Sequence, residues 1–171
     1  MPSERVMPNR LYLSFRERDR ATARIVARRW RIVYGRFNVI MDAQNDRPER
    51  YAIERHIEDL MSDVSHVFIL IGQQWSGLDD YGRYRLSTAD VPIQPEIKTA
   101  LYSNLPTTLL LVDGVNCVPG DIPEDLRGLS QLPTATLRPG HVWDDLDALV
   151  PRPTIRQWLR YLLMSDWLIS R

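Results

Sequence analysis

The stretch His66–Ile71, HVFILI, sets five apolar side chains in an unbroken row, and Gly72 ends it. A run this short with no polar alternation predicts a β-strand whose two faces are both covered. Upstream, Tyr51–Ser62 places Ile53, Ile57, Leu60 and Met61 on one helical face, after a polar loop over 43–50. Before that loop lies a second apolar strand, Phe37–Met41 (FNVIM), closed by Asp42. Arg20–Tyr34 carries Ala23, Ile25, Val26, Ala27, Trp30, Ile32 and Val33 at roughly helical spacing, with Asp19 placed to cap it and Gly35 to end it. Arg10–Phe15, RLYLSF, alternates and reads as the first strand.

Downstream, 73–92 is long, polar and loop-like apart from Trp75 and two tyrosines. A loop of that length in a compact domain is functional or mobile. Pro95 suits the first turn of a helix to about Tyr102. Thr107–Val112 (TTLLLV) gives the fourth strand, Pro123–Leu129 a short helix, Ala135–Leu137 a last strand and Trp143–Val150 a further helix. Strands alternating with helices predict an α/β, flavodoxin-like three-layer sandwich, a five-stranded parallel sheet with helices on both faces. In such a sheet, ligands sit beyond the carboxyl ends of the strands. That rule gathers Phe15, Arg16, Asp42, Gly72 to Trp75 and Asp113 onto one rim.

Composition narrows the classes. The 171 residues suit one ordinary domain, 1–150, followed by an extension, 151–171. A chain of this size buries about 70% of its unfolded surface, so it folds without disulfides or metal. The 22 basic and 22 acidic residues cancel, which argues against nucleic acid as the main partner. Charge is nonetheless uneven. Arg16 to Arg36 holds eight arginines against Glu17 and Asp19, whereas Asp113 to Asp147 holds seven carboxylates against Arg127 and Arg138. Cys117 stands alone, which excludes an internal disulfide and a cysteine zinc site and fits a reducing compartment. With no apolar run of membrane-spanning length and no signal-peptide core at MPSERVMPNR, the expectation is a cytoplasmic protein off the membrane.

The common catalytic motifs are missing. No GxGxxG follows a strand, and neither GxxxxGK[ST] nor GxSxG occurs. His56, His66 and His141 are dispersed without HExxH spacing, so no metal site is expected and these histidines read as structural or surface residues.

An ordered set of segments resembles the bacterial Toll/interleukin receptor (TIR) domains over about residues 9–150. LYLSFRERD, from Leu11 to Asp19, is similar to the family's first strand running into S-Y/F-R-x-x-D. FNVIMD resembles its second strand with a terminal aspartate. AIERHIEDLMSDVSHVFILIGQQW resembles the helix, third strand and G-x-x-W that follow. YGRYRL and PEIKTAL resemble the G-R-x-R-L stretch and the helix opening with Glu-Ile, and LLLVDGV, IPEDLRGL and DDLDAL continue the series.

The resemblance implies cleavage of the nicotinamide–ribose bond of NAD, with NAD as substrate and no separate cofactor. It puts the catalytic glutamate at Glu96 and substrate contacts at Phe15, Arg16 and Asp42. Trp75 reads equally as a loop anchor or as a stacking surface for nicotinamide or adenine. Residues 42–50 correspond to a loop that commonly mediates self-association, and a sensor or effector partner in antiphage defence is implied. One departure stands out: where the family has an aromatic residue four positions before the glutamate, this chain has Pro92. That keeps a non-enzymatic TIR scaffold as the alternative, with another N-glycosidic substrate as a third reading.

The extension lies outside the TIR pattern. Ile155, Trp158, Leu159, Leu162 and Leu163, continued by Trp167 and Leu168, trace an apolar helical stripe suited to packing on its own domain, docking a partner, or starting a linker to a further domain. Only Arg156 and Arg160 flank it, which disfavours a membrane surface.

Overall fold

A computed structural model describes residues 10–41, 50–73, 75, 93–116, 118–120 and 122–149. Five strands, β1 (Arg10–Ser14), β2 (Val39–Met41), β3 (Val64–Ile71), β4 (Thr107–Leu111) and β5 (Thr134–Thr136), form one sheet in the order β2-β1-β3-β4-β5. Every pairing is parallel. Among the described residues four α-helices accompany them: α1 (Arg20–Tyr34), α2 (Arg50–Met61), α3 (Ile93–Tyr102) and α4 (Val142–Leu149). The fold is therefore the expected flavodoxin-like α/β arrangement.

The alternation of β3 shows why the sheet needs both layers. Val67, Ile69 and Ile71 enter a core with Tyr12 of β1, Leu109 and Leu111 of β4, Ile57 and Met61 of α2, and Ile93, Ile97 and Ala100 of α3. Phe68 and Leu70 enter the opposite core with Leu11 and Leu13, the Ala23–Val26–Ala27–Trp30–Tyr34 stripe of α1, and Leu146 of α4. Trp30 lies against Phe68 with ring centroids 4.4 Å apart. Each strand residue thus finds apolar partners on whichever face it points to, which is what an unbroken apolar run requires.

The departures from the sequence reading are local. Phe37 and Asn38 belong to a 3₁₀ turn, Arg36–Asn38, and β2 begins only at Val39. Residues 124–131 wind as a 3₁₀ helix rather than an α-helix. α3 starts at Ile93, so Pro95 is its third residue, where its missing N–H leaves no intrahelical bond broken. One ion pair joins the arginine-rich segment to the acidic one: Arg29 on α1 donates through Nε to Asp147 on α4 at 2.9 Å. His66 is a structural residue, with Nε2 2.9 Å from Thr108 Oγ1, its ring stacked on Phe68, and its pKa lowered by burial.

Candidate active site at the carboxyl ends of β1 and β3

In a parallel sheet every helix that follows a strand begins on the carboxyl rim. The strand order reverses direction between β1 and β3, so the two chain segments leaving these neighbouring strands part to opposite faces and leave a crevice. The residues that meet there come from the turn after β1, the turn after β3, and the turn after β4.

Arg16 leads from β1 into a 3₁₀ turn over Glu17–Asp19. Its Nη1 donates to the main-chain carbonyl of Trp75 at 2.6 Å, joining the β1 exit to the β3 exit. Trp75 itself turns back on the strand end, its N–H donating to Gly72 O at 3.1 Å. Its indole is fully buried, in the same core as Ile93 and Ile97 of α3. Nε1 finds no hydrogen-bond partner among the described residues. Phe15 points the other way, into the core beneath α1. The structure therefore brings Arg16 and Trp75 together through the backbone, places the Trp75 ring inside the core, and sends Phe15 to the opposite layer.

Glu96 lies in the first turn of α3 and is only 4% exposed. Ile93 and Ile97 on either side of it pack in the core that holds Trp75, so the start of α3 and the β3 exit are anchored in common. A carboxylate in a first helical turn is favoured as the anion by the helix dipole. Asp42, Pro92, residues 43–49 and Cys117 lie outside the described residues, as does the 151–171 extension.

Asp19 is the site residue that sequence reasoning misassigned. Expected as the cap of α1, it makes no side-chain capping bond. Its carboxylate instead accepts the backbone N–H of Gly72, and the side chain is buried. Gly72 is required by this approach, because a Cβ there would lie 2.8 Å from Asp19 Cγ and nearer still to Oδ1. Burial, reinforced by the nearby Asp113 carboxylate, raises the Asp19 pKa, while Arg16 and the Gly72 N–H act in the opposite sense. Only the SFRERD motif, which ends in this aspartate, offered a signal beyond capping.

Asp113 and Gly114 form a tight turn after β4, both with positive φ (54° and 82°), closed by Val115 N–H donating to Val112 O at 3.1 Å. Gln73 Nε2 donates to Asp113 O at 2.6 Å, and the Thr22 hydroxyl of α1 donates to Asp113 Oδ2 at 3.4 Å. The rim thus ties Arg16 and Asp19 to main-chain groups after β3 and the Asp113 carboxylate to the Thr22 hydroxyl, while a further buried carboxyl, Glu96, lies at the head of α3. Guanidinium and carboxyl groups at a switch point of this kind can hold a polar ligand against the sheet edge. Among the described residues no cluster of three or more histidine, cysteine, aspartate or glutamate side chains is arranged to hold a metal ion, and no helix is long and apolar enough to cross a membrane. No family model matches the chain, and no curated protein matches it.

Proposed function

We propose that the chain is a TIR-type domain that cleaves the nicotinamide–ribose bond of NAD, with Glu96 as its catalytic carboxylate. The observation that carries this reading is the buried glutamate in the first turn of α3, at the carboxyl rim of a sheet ordered β2-β1-β3-β4-β5. The order of the sequence motifs along β1, β3, α3 and β4 supports it as well.

The chemistry asks little of the protein. In NAD the leaving group is already a pyridinium cation. The C–N bond to ribose breaks with its electron pair moving to the ring nitrogen, and neutral nicotinamide departs without a general acid. The ribosyl carbon is left with oxocarbenium character. One carboxylate near the ribose holds its hydroxyls and stabilises that charge, so the two-carboxylate arrangement of ordinary glycosidases is unnecessary. Water adding to the cation and releasing a proton gives ADP-ribose; a nitrogen of the substrate's own adenine gives a cyclic isomer. Arg16 contributes positive charge at the crevice, Phe15 fixes the β1 exit from below, and Asp42 contacts substrate. Trp75, with its ring in the core, acts through its carbonyl and as backing for α3. Self-association through 42–50 brings the activity into an antiphage signalling role.

Pro92, standing where the family has an aromatic residue, favours one second reading, a scaffold that binds other TIR domains without turnover. Chromatography of NAD incubated with concentrated protein separates the two. Nicotinamide with ADP-ribose or a cyclic isomer supports the enzyme, and intact NAD alongside concentration-dependent assembly supports the scaffold. Nicotinamide riboside, run alongside, tests the third reading.

A further inference from the structure

The outer faces of α1 and α2, on opposite layers of the sandwich, carry opposite charge. On α1 the buried side chains Ala23, Val26, Ala27, Trp30 and Tyr34 face the sheet. At about 100° per residue, Arg24, Ile25, Arg28, Arg31 and Ile32 fall on the opposite arc, and all five are exposed. No acid dilutes that arc, because α1 contains none. Among the described residues Arg24 and Arg28 have no ion-pair partner. Arg31 reaches the Val39 carbonyl at 3.4 Å, a main-chain group that leaves its charge in place. The isoleucines lie among these guanidinium groups, with Ile25 49% and Ile32 62% exposed.

Across the sheet the sign reverses. Ile57 and Met61 turn α2 toward the core it shares with α3, and Glu54, Arg55, His56, Glu58 and Asp59 are exposed. Three carboxylates there outnumber the one guanidinium, and none of the three is ion-paired among the described residues. α2 packs beside α3, where Lys98 pairs with Asp125 at 2.7 Å and has its pKa raised by that partner and further by Tyr102 and Glu54. Glu54 on α2 and the exposed Tyr102 on α3 therefore belong to one surface. It offers carboxylates and a ring, the groups against which arginine side chains settle.

The sheet separates the two faces, so they cannot meet within one molecule. Between molecules they match: the arginine arc of one copy meets the acidic arc of another. Because the two surfaces differ, the contact is heterologous, and each added copy leaves one face of each kind free. A contact of one helix on another is at the small end of interface sizes, so each step is weak and takes its orientation from charge.

We infer that the α1 face of one copy docks on the α2 face of the next, Arg24, Arg28 and Arg31 against Glu54, Glu58 and Asp59, so that the chain stacks head to tail with itself. This surface is separate from residues 42–50, and the assignment does not depend on the proposed activity. Sedimentation velocity of the full chain tests it. Wild type should pass from monomer to larger species as its concentration rises, and return to monomer at about 1 M salt, where the screening length falls to about 3 Å. Two charge reversals then divide the contact. Arg24→Glu with Arg28→Glu leaves both faces acidic, and Glu58→Arg with Asp59→Arg leaves both basic. Each variant alone should stay monomeric at concentrations where wild type assembles. An equimolar mixture of the two should assemble again, because each supplies the face the other lacks. All four positions are exposed, and circular dichroism on the same samples checks that the fold is kept. If either pair unfolds, Arg28→Glu and Glu58→Arg alone make the same comparison. A wild type that stays monomeric, variants that assemble alone as wild type does, or a mixture that remains monomeric would overturn the inference.

Discussion

The Arg16 guanidinium donates to the main-chain carbonyl of Trp75 across 2.6 Å, and so ties the exit of β1 to the exit of β3 at the point where the sheet reverses its order. Asp19 and Gly72 make the second tie between the same two segments, carboxylate to backbone N–H. The candidate site is built around this double closure, and each of its members makes a different demand when altered.

Replacing Arg16 by glutamine removes a charge-assisted hydrogen bond to a buried segment. The expected loss is about 1.5–3 kcal/mol, measured by urea unfolding. Because Arg16 holds the Asp19 pKa down against burial, the Asp19 carboxyl should titrate higher still in this variant, as read from its side-chain carbon shift in NMR.

Asp19 sets a pH dependence of definite sign. Its folded-state pKa is raised by burial and by Asp113, so its stabilising contribution is complete below the ordinary carboxylate range and is lost as pH rises through the raised value. Asp19→Asn keeps an oxygen for the Gly72 N–H and removes the buried charge. The variant should melt higher than wild type near neutral pH, and the difference should shrink as the pH falls below the carboxylate range. A gap in Tm that widens in acid would contradict the assignment.

Gly72→Ala puts a methyl group into the Asp19 carboxyl. Overpacking of this kind should cost about 1–3 kcal/mol. Combining it with Asp19→Ala clears the space, so the double variant should lose less than the sum of the two singles in a double-mutant cycle.

Trp75 separates packing from ligand stacking. Truncation to alanine should cost about 3–5 kcal/mol, the usual range for a buried aromatic. Trp75→Phe keeps most of the ring volume and drops an indole N–H that has no partner among the described residues. Its unfolding midpoint should therefore lie far closer to wild type than that of Trp75→Ala.

Much of the fold was legible because its signals are local. The α1 limits follow from Gly35 and a clear apolar stripe, and the buried β3 follows from five apolar residues in a row. Their sum gives the layers, and the layers give the rim. What escaped was set by contacts between distant segments. Asp19 has the sequence position of a helix cap, and only the close approach of Gly72 turns its carboxyl inward. Trp75 in a polar stretch reads equally as a loop anchor or a stacking surface, and its burial with Ile93 and Ile97 of the next helix makes it an anchor. Phe15 and Arg16 are adjacent in sequence, but strand alternation sends them to different sides of the sheet.

The central claim, that Glu96 is a catalytic carboxylate acting on NAD, is tested most directly by nicotinamide release from wild type and Glu96→Gln at equal, high protein concentration, with unfolding midpoints measured on the same samples. The account predicts release by wild type and a loss of at least about a hundredfold in the variant, the scale of removing a transition-state charge partner, with folding retained. Release that survives the substitution, or none from concentrated and assembled wild type, would contradict it.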